Sequence, residues 1–351
     1  MAPTGLLAYL KLLYKAKYIR FQYSINYLLR VITGKAPARL TPNQSFTVPS
    51  TKSRRGVKVN IYRTKAALNH TGPVAVHLTW HGSGFVFKSF GENGVFIKYL
   101  LDHPILSSYP LAILDCDYAK GPEYVCPAAT DDARDVLEYV FMHPEVYDIS
   151  RVTLGGFSAG GAISLGLSVT IGKEVRTGTW SHPTTGHPIK TVVAFYPVAK
   201  WWETPIAPRE TAGLRQWLGG MFPKDLESIF RNSYFFTPKL NHPKTSEEDD
   251  RRVIALMRQP LHSPGYGETK DFPDDIVIYT CENDHLTREA ENLRQKLQAG
   301  GKRVYGELVM GVYHSWDLEV RPGDVGYVER QKAYDVSAKA IARAGGVQVD
   351  I

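Results

Sequence analysis

The chain has 351 residues, 43% of them hydrophobic and 22% charged, enough for one large core with a smaller lobe and too apolar for a disordered chain. Its three cysteines, Cys116, Cys126 and Cys281, form neither a C-x-x-C pair nor a disulfide framework, which fits a reducing, cytoplasmic setting. The formal charge of +7 is uneven: fourteen Lys or Arg and no Asp or Glu precede Glu92, a pattern suited to an anionic surface or to ion pairs with the rest of the chain, and no helix-turn-helix, zinc-finger or RNA-reading signature points to nucleic acid.

Residues 6–31 predict a helix. Leu6, Leu7, Leu10, Leu13, Tyr14, Tyr18 and Phe21 recur at spacings of three and four, with Lys11, Lys15 and Arg20 between them. The apolar run falls short of the roughly 20 residues of a spanning helix, and the lysines that follow it at once argue against a cleaved signal peptide. The expectation is a cap helix packed over a site, with transient contact to an anionic membrane as an added role and a peripheral location as its consequence. Residues 1–45 are therefore read as an amino-terminal cap segment. Residues 34–55, rich in Pro, Thr and Ser, read as a connector.

Strands follow at 57–62, 73–80 and 111–116, then a helix at 130–141, a strand ending at Leu154, a helix to about Ile171 and a strand at 191–198. After a long interval come a strand at 276–281, a helix at 289–297 and a strand at 304–309. Strands separated by helices predict an α/β sheet with chemistry at the carboxyl ends of its strands. The catalytic domain is expected to comprise residues 46–198 and 273–351. Residues 199–272, with Trp201, Trp202, Trp217, Phe230, Tyr234 and Phe235, are expected to form a second, mainly helical cap segment.

The most informative stretch is Gly156-Phe157-Ser158-Ala159-Gly160, set between strand and helix. The pattern Gly-x-Ser-x-Gly in that context is a nucleophile elbow: the glycines let strand and helix approach closely, and the serine hydroxyl stands above the sheet edge. An acyl-transfer site also needs a base and a carboxylate that orients it. His314, just after the last strand, is the candidate base. Asp284 is the candidate carboxylate, with Asp317 and Glu282 as neighbouring rivals; Asp274 and Asp275, before the strand, are expected at its wrong end and in solvent. The chain order Ser, Asp, His is that of α/β-hydrolases.

Together these motifs resemble the hormone-sensitive-lipase-like esterases of the α/β-hydrolase superfamily over about residues 57–317. That family's His-Gly-Gly-Gly is represented by His81-Gly82-Ser83-Gly84, its Gly-Asp-Ser-Ala-Gly-Gly by residues 156–161 with Phe157 in place of Asp, and its Asp-Tyr-Arg-Leu-Ala-Pro-Glu by residues 117–123. The resemblance selects Asp284 over its rivals. It also implies that the backbone NH groups of Gly82, Ser83 and Ala159 form the oxyanion hole, supported by His81, Gly84, Gly156 and Gly160. Ser83, where the family has a third glycine, is expected to alter the acyl pocket through its hydroxyl and volume.

Phe85, Phe157, Trp201, Trp202 and Trp217 are the candidate lining of an apolar substrate pocket. His77 and His81 are four residues apart but lie on a strand running into a loop, without a His-Glu-x-x-His pattern, and His182 and His187 bring no ligand set. No metal or organic cofactor is called for. The implied activity is serine-dependent hydrolysis of a hydrophobic carboxylic ester, with lactone, amide or acyl-transfer chemistry on the same machinery. A non-catalytic small-molecule receptor on the hydrolase fold is the competing reading.

Overall fold

Short runs rich in β-branched and apolar residues pair into one nine-stranded sheet. The computed structural model describes residues 4–34, 36, 39–201, 223, 225–236 and 247–351. Its strands are β1 (Gln44–Pro49), β2 (Gly56–Arg63), β3 (Val74–Trp80), β4 (Leu111–Cys116), β5 (Tyr147–Phe157), β6 (Ile189–Phe195), β7 (Asp275–Asn283), β8 (Arg303–Tyr305) and β9 (Leu308–Tyr313). They are ordered β1-β2-β4-β3-β5-β6-β7-β8, with β9 also paired to β7. β2 runs antiparallel to both its neighbours, and β4, β3, β5, β6, β7 and β8 are mutually parallel. Every residue of β3 and β4 is buried, which is why these strands read in the sequence as continuous apolar runs.

The helices are α1 (Thr4–Ile32), α2 (Lys65–Leu68), α3 (Gly94–Asp102), α4 (Pro104–Ser107), α5 (Ala128–Phe141), α6 (Ala159–Thr177), α7 (Leu226–Tyr234), α8 (Glu247–Met257), α9 (Thr287–Ala299) and α10 (Tyr327–Ala344). Alternate strand residues point to opposite faces. Val76, Leu78, Val192 and Ile278 join α5, α6 and α9 in one core layer. Phe157, Val193, Phe195 and Tyr279 join α3 and α10 in the other.

A smaller cluster attaches α1. Leu12, Ala16 and Ile19 pack on Val86, Phe87, Leu226, Ile229 and Phe230, so α1 lies against α7 and the loop after β3. The apolar face expected to pack inward is instead the outer one: Leu6, Leu7, Leu10, Tyr14, Tyr18 and Phe21 are exposed. Three basic side chains of α1 pair with the rest of the chain, Lys15 with Asp225, Arg20 with Glu123 and Arg30 with Glu319.

Three further expectations change. The connector at 34–55 contains strand β1, paired along its length to β2. The strand expected at 304–309 is two strands, because Gly306 turns between them at φ +95°, where a Cβ would meet Ile278 O at 2.2 Å. Asp275 is buried in β7 and bonded to the Arg303 guanidinium at 2.6–2.8 Å; only Asp274 is the exposed residue foreseen.

Candidate active site

The parallel strands deliver the site at their carboxyl ends. β5 ends at Phe157, α6 begins at Ala159, and Ser158 makes the turn at φ 52° and ψ −113°, a backbone conformation rarely adopted outside sites that require it. Its NH donates to Phe195 O at 2.9 Å, which ties the turn to β6. The flanking glycines are required by contact: a Cβ on Gly156 would lie 2.3 Å from the Gly160 carbonyl carbon, and one on Gly160 would lie 2.0 Å from Trp80 O.

His314 follows β9 and reaches the elbow. Its Nε2 is 3.0 Å from Ser158 Oγ, and its Nδ1 is 2.7 Å from Asp284 Oδ2. Asp284 is buried behind the ring on the loop after β7, and its Oδ1 accepts the Leu286 NH at 3.1 Å. Burial alone would push its carboxyl up, but the charge and hydrogen bond of His314, together with the His285 charge and the Leu286 NH, hold it below its ordinary value. Of the rivals, Asp317 accepts from the hydroxyls of Tyr196 at 2.6 Å and Tyr334 at 2.7 Å. Burial raises its pKa, those two bonds opposing. Glu282 accepts the Gly311 NH at 2.8 Å. Among the described residues neither meets His314.

The loop after β3 faces Ser158. The NH groups of Gly82, Ser83 and Ala159 meet no acceptor among the described residues, and the first NH of α6 adds the positive end of its helix dipole. The Ser83 hydroxyl is tied into the loop itself: it pairs with Tyr118 Oη at 2.7 Å and accepts the Phe85 NH at 2.9 Å. Gly84, at φ +56°, lies against the Phe230 ring, where a Cβ would approach to 2.7 Å.

Residues 117–120 brace this loop. The Tyr118 hydroxyl donates to His81 O at 2.7 Å, and its ring stacks on His81 at 4.7 Å. Lys120 Nζ donates to Asp117 Oδ1 at 2.9 Å and sits 3.5 Å from the Tyr118 ring centroid. Burial lowers the His81 pKa to about 4, assisted by the Lys120 charge, so the ring is neutral at pH 7. Burial lowers Lys120 to about 8, against the pull of Asp117. The motif was visible in the sequence, but its role was not, because the hydroxyl of Tyr118 acts on a loop some thirty-five residues upstream.

Ser158, His314, Gly82, Ser83 and Gly84 open onto an apolar cavity enclosing about 760 Å³ with its mouth. Phe157 and Trp201 line it. Phe85 does not: it is packed between Tyr234, at 3.9 Å, and Trp201, at 5.8 Å, and supports the wall from behind. Trp202 and Trp217 lie outside the described residues. The sequence reading missed Tyr23, Phe87, Glu92 and Tyr196 in the lining. Tyr23 comes from α1, stacks on Phe87 at 4.5 Å and donates its hydroxyl to Glu92. Burial raises the Glu92 carboxyl to about 7, with the Tyr23 hydrogen bond opposing. A polar pair facing an apolar stripe leaves no periodic signal, so only three-dimensional placement reveals it.

The histidines weighed above as metal ligands have structural partners. His77 meets Thr153 Oγ1 at 2.9 Å and burial lowers its pKa to about 3, His182 pairs with Glu138, and His187 Nε2 meets the carbonyls of Ser168 and Asp271 at 3.1 and 3.2 Å. No group of His, Cys, Asp and Glu side chains among the described residues is arranged to hold a metal ion.

The family model for the alpha/beta hydrolase fold matches residues 77–318, an interval holding Ser158, Asp284 and His314. A curated relative, probable carboxylesterase 3 of Arabidopsis thaliana, is 27% identical over 152 residues, 38% of this chain and 47% of that protein; the matched region thus spans about half of that relative's length. Among solved structures, an esterase of Pyrobaculum calidifontis superposes with a TM-score of 0.69 at 20% identity, covering 95% of this chain and 94% of its own. The carboxylesterase EstE1, cloned from a metagenomic library, superposes with a TM-score of 0.69 at 21% identity, covering 94% and 97%. At such identities the likeness bears on the fold.

Proposed function

The chain belongs to the α/β-hydrolase family, in its hormone-sensitive-lipase-like branch, and on that premise we propose that it hydrolyses hydrophobic carboxylic esters through an acyl-enzyme on Ser158. The observation that carries this reading is the continuous chain of hydrogen bonds from Ser158 Oγ through His314 to Asp284, at 3.0 and 2.7 Å. The relatives named carboxylesterase and esterase agree with it in reaction class.

In the proposed cycle Ser158 Oγ attacks the acyl carbonyl while its proton passes to His314 Nε2. Asp284 keeps Nδ1 protonated and stabilises the imidazolium. The carbonyl oxygen becomes an oxyanion between the NH groups of Gly82, Ser83 and Ala159. Collapse returns the His314 proton to the departing alkoxide and leaves the acyl group on Ser158. Water, deprotonated by His314, then attacks the acyl carbon, and collapse of the second tetrahedral state releases the acid and restores the Ser158 hydroxyl. The apolar lining of the cavity suits a hydrophobic ester, and amides or lactones would follow the same steps.

A panel of aryl and alkyl esters of increasing acyl length, with matched amides and lactones, tests the assignment. Ester turnover by the wild-type protein that disappears in Ser158→Ala is expected. Turnover that survives the substitution would contradict it.

A further inference from the structure

We propose that the outer face of α1 docks this protein on anionic lipid bilayers. The helix has two faces with opposite surroundings. Leu12, Ala16 and Ile19 are buried against Val86, Phe87 and Phe230, and Tyr23, one turn on, enters the catalytic cavity. On the far side Leu7, Leu10, Tyr14, Phe21, Leu28 and Ile32 are between 49 and 72% exposed. At about 100° per residue these fall within an arc of roughly 60°, diametrically opposite the buried set. The ridge extends for about 38 Å at 1.5 Å per residue, longer than scattered surface apolar residues would account for.

Its shape and charge select the occupant. A single convex helix presents a ridge without a groove, which a soft planar interface accommodates by letting the side chains sink among the lipid headgroups. Lys11 and Lys17 are exposed at the two edges of the ridge and meet no carboxylate among the described residues, whereas Lys15, Arg20 and Arg30 turn to carboxylates of the body. Because the first acidic residue is Glu92, no negative charge from α1 itself opposes an anionic surface, and each lysine near such a surface adds attraction that salt weakens. The helix lies in the plane of the interface: no helix among the described residues is long and apolar enough to cross a membrane.

The consequence for the proposed esterase is access. Since α1 is one helix thick, about 10–12 Å, its inner face forms a wall of the cavity while its outer face rests on lipid. The cavity that holds Ser158 would then lie within one helix diameter of the bilayer. The use of that closeness for access rests on the esterase reading, but the docking itself does not.

Vesicle flotation with the full chain tests it, using phosphatidylcholine with and without phosphatidylserine at low and moderate salt. The wild type should float with the anionic vesicles at low salt and lose binding as salt rises. Tyr14→Ser/Phe21→Ser/Leu28→Ser, which alters exposed positions only, should abolish flotation, and Lys11→Gln/Lys17→Gln should weaken it by about 30-fold. Unchanged thermal unfolding of both variants shows that the fold persists. Wild type that stays with the soluble fraction, or a triple-serine variant that floats as well as wild type, would overturn the proposal. So would a wild-type dimer that becomes a monomer in the triple-serine variant without either floating, which would assign the ridge to a second copy of the chain. Flotation is read on Ser158→Ala as well, so a failure of the esterase reading leaves this result intact.

Discussion

The two walls of the cavity are built by different physics. The sheet-side wall, comprising the elbow, the loop after β3 and the His314 loop, is dictated locally: Gly156 and Gly160 are the only residue type that fits contacts of 2.3 and 2.0 Å, and each reactive group sits just beyond the carboxyl end of a strand. The helix-side wall, comprising α1 and α7, is held by side-chain packing between surfaces, with Leu12, Ala16 and Ile19 against Phe230 and its neighbours. A site whose chemistry is fixed by backbone and whose shape is set by packing can change its substrate without losing its reaction. Substitutions of the reactive groups on the first wall should therefore strike the rate of chemistry, and those on the second should strike stability and selectivity.

The largest expected effect is at the nucleophile and base. Ser158→Ala and His314→Ala should each lower kcat by about 10⁶-fold, with no further loss when combined, as expected for groups that act as a unit. Steady-state and single-turnover assays on a short ester would show it. Asp284→Asn should cost about 10⁴-fold by releasing the imidazole tautomer. The neighbouring carboxylate sharpens the contrast: Asp317→Asn disturbs the hydroxyls of Tyr196 and Tyr334 instead of the His314 ring, so it should cost about 1–3 kcal/mol of stability in denaturant unfolding while kcat stays within tenfold. Equal kinetic losses at Asp284 and Asp317 would erase the distinction.

Where the walls touch, at Gly84 and Phe230, the effect should be intermediate. Gly84→Ala drives a Cβ toward the Phe230 ring and displaces the donor-bearing loop, with a fall in kcat on the order of 10²-fold if one oxyanion donor is lost. Its Km for short esters should change little.

The seam where Tyr23 of α1 meets Glu92 of the loop after β3 should respond in pH dependence. Glu92 has its carboxyl raised from 4.5 to about 7 by burial. Between those values the folded protein holds a proton that the unfolded chain has released, so stability falls as pH rises through the window and levels off above it. Glu92→Gln should match the wild type below about pH 4.5 and be more stable above pH 7, by at most about 3 kcal/mol. Thermal unfolding across that range measures it; Asp115, raised to about 7 by burial, leaves part of the slope in place. Identical slopes in the two proteins would remove Glu92 from the account.

The same division explains what could be read from the sequence. Strands β3 and β4, the elbow and the loop after β3 were legible because burial on both faces and close backbone contact restrict residue type position by position. The apolar periodicity of α1 was equally visible, yet the face it marked is the exposed one, while packing uses Leu12, Ala16 and Ile19, whose smaller pattern is interrupted by Lys15 and Arg20. β1 was hidden because an edge strand paired on one side, with a mostly exposed pattern, carries no hydrophobic signature. Tyr23, Glu92 and the Tyr118 brace depend on pairings across long sequence separations, which composition and spacing do not encode.

The central claim is that Ser158 forms a covalent intermediate activated by His314. Intact-protein mass spectrometry after treatment with a fluorophosphonate tests it most directly. The account predicts one stoichiometric adduct on wild type, mapped by peptide analysis to Ser158, none on Ser158→Ala, and strongly slowed labelling of His314→Ala. An adduct of equal yield on Ser158→Ala, or its location on another residue of the wild type, would contradict it.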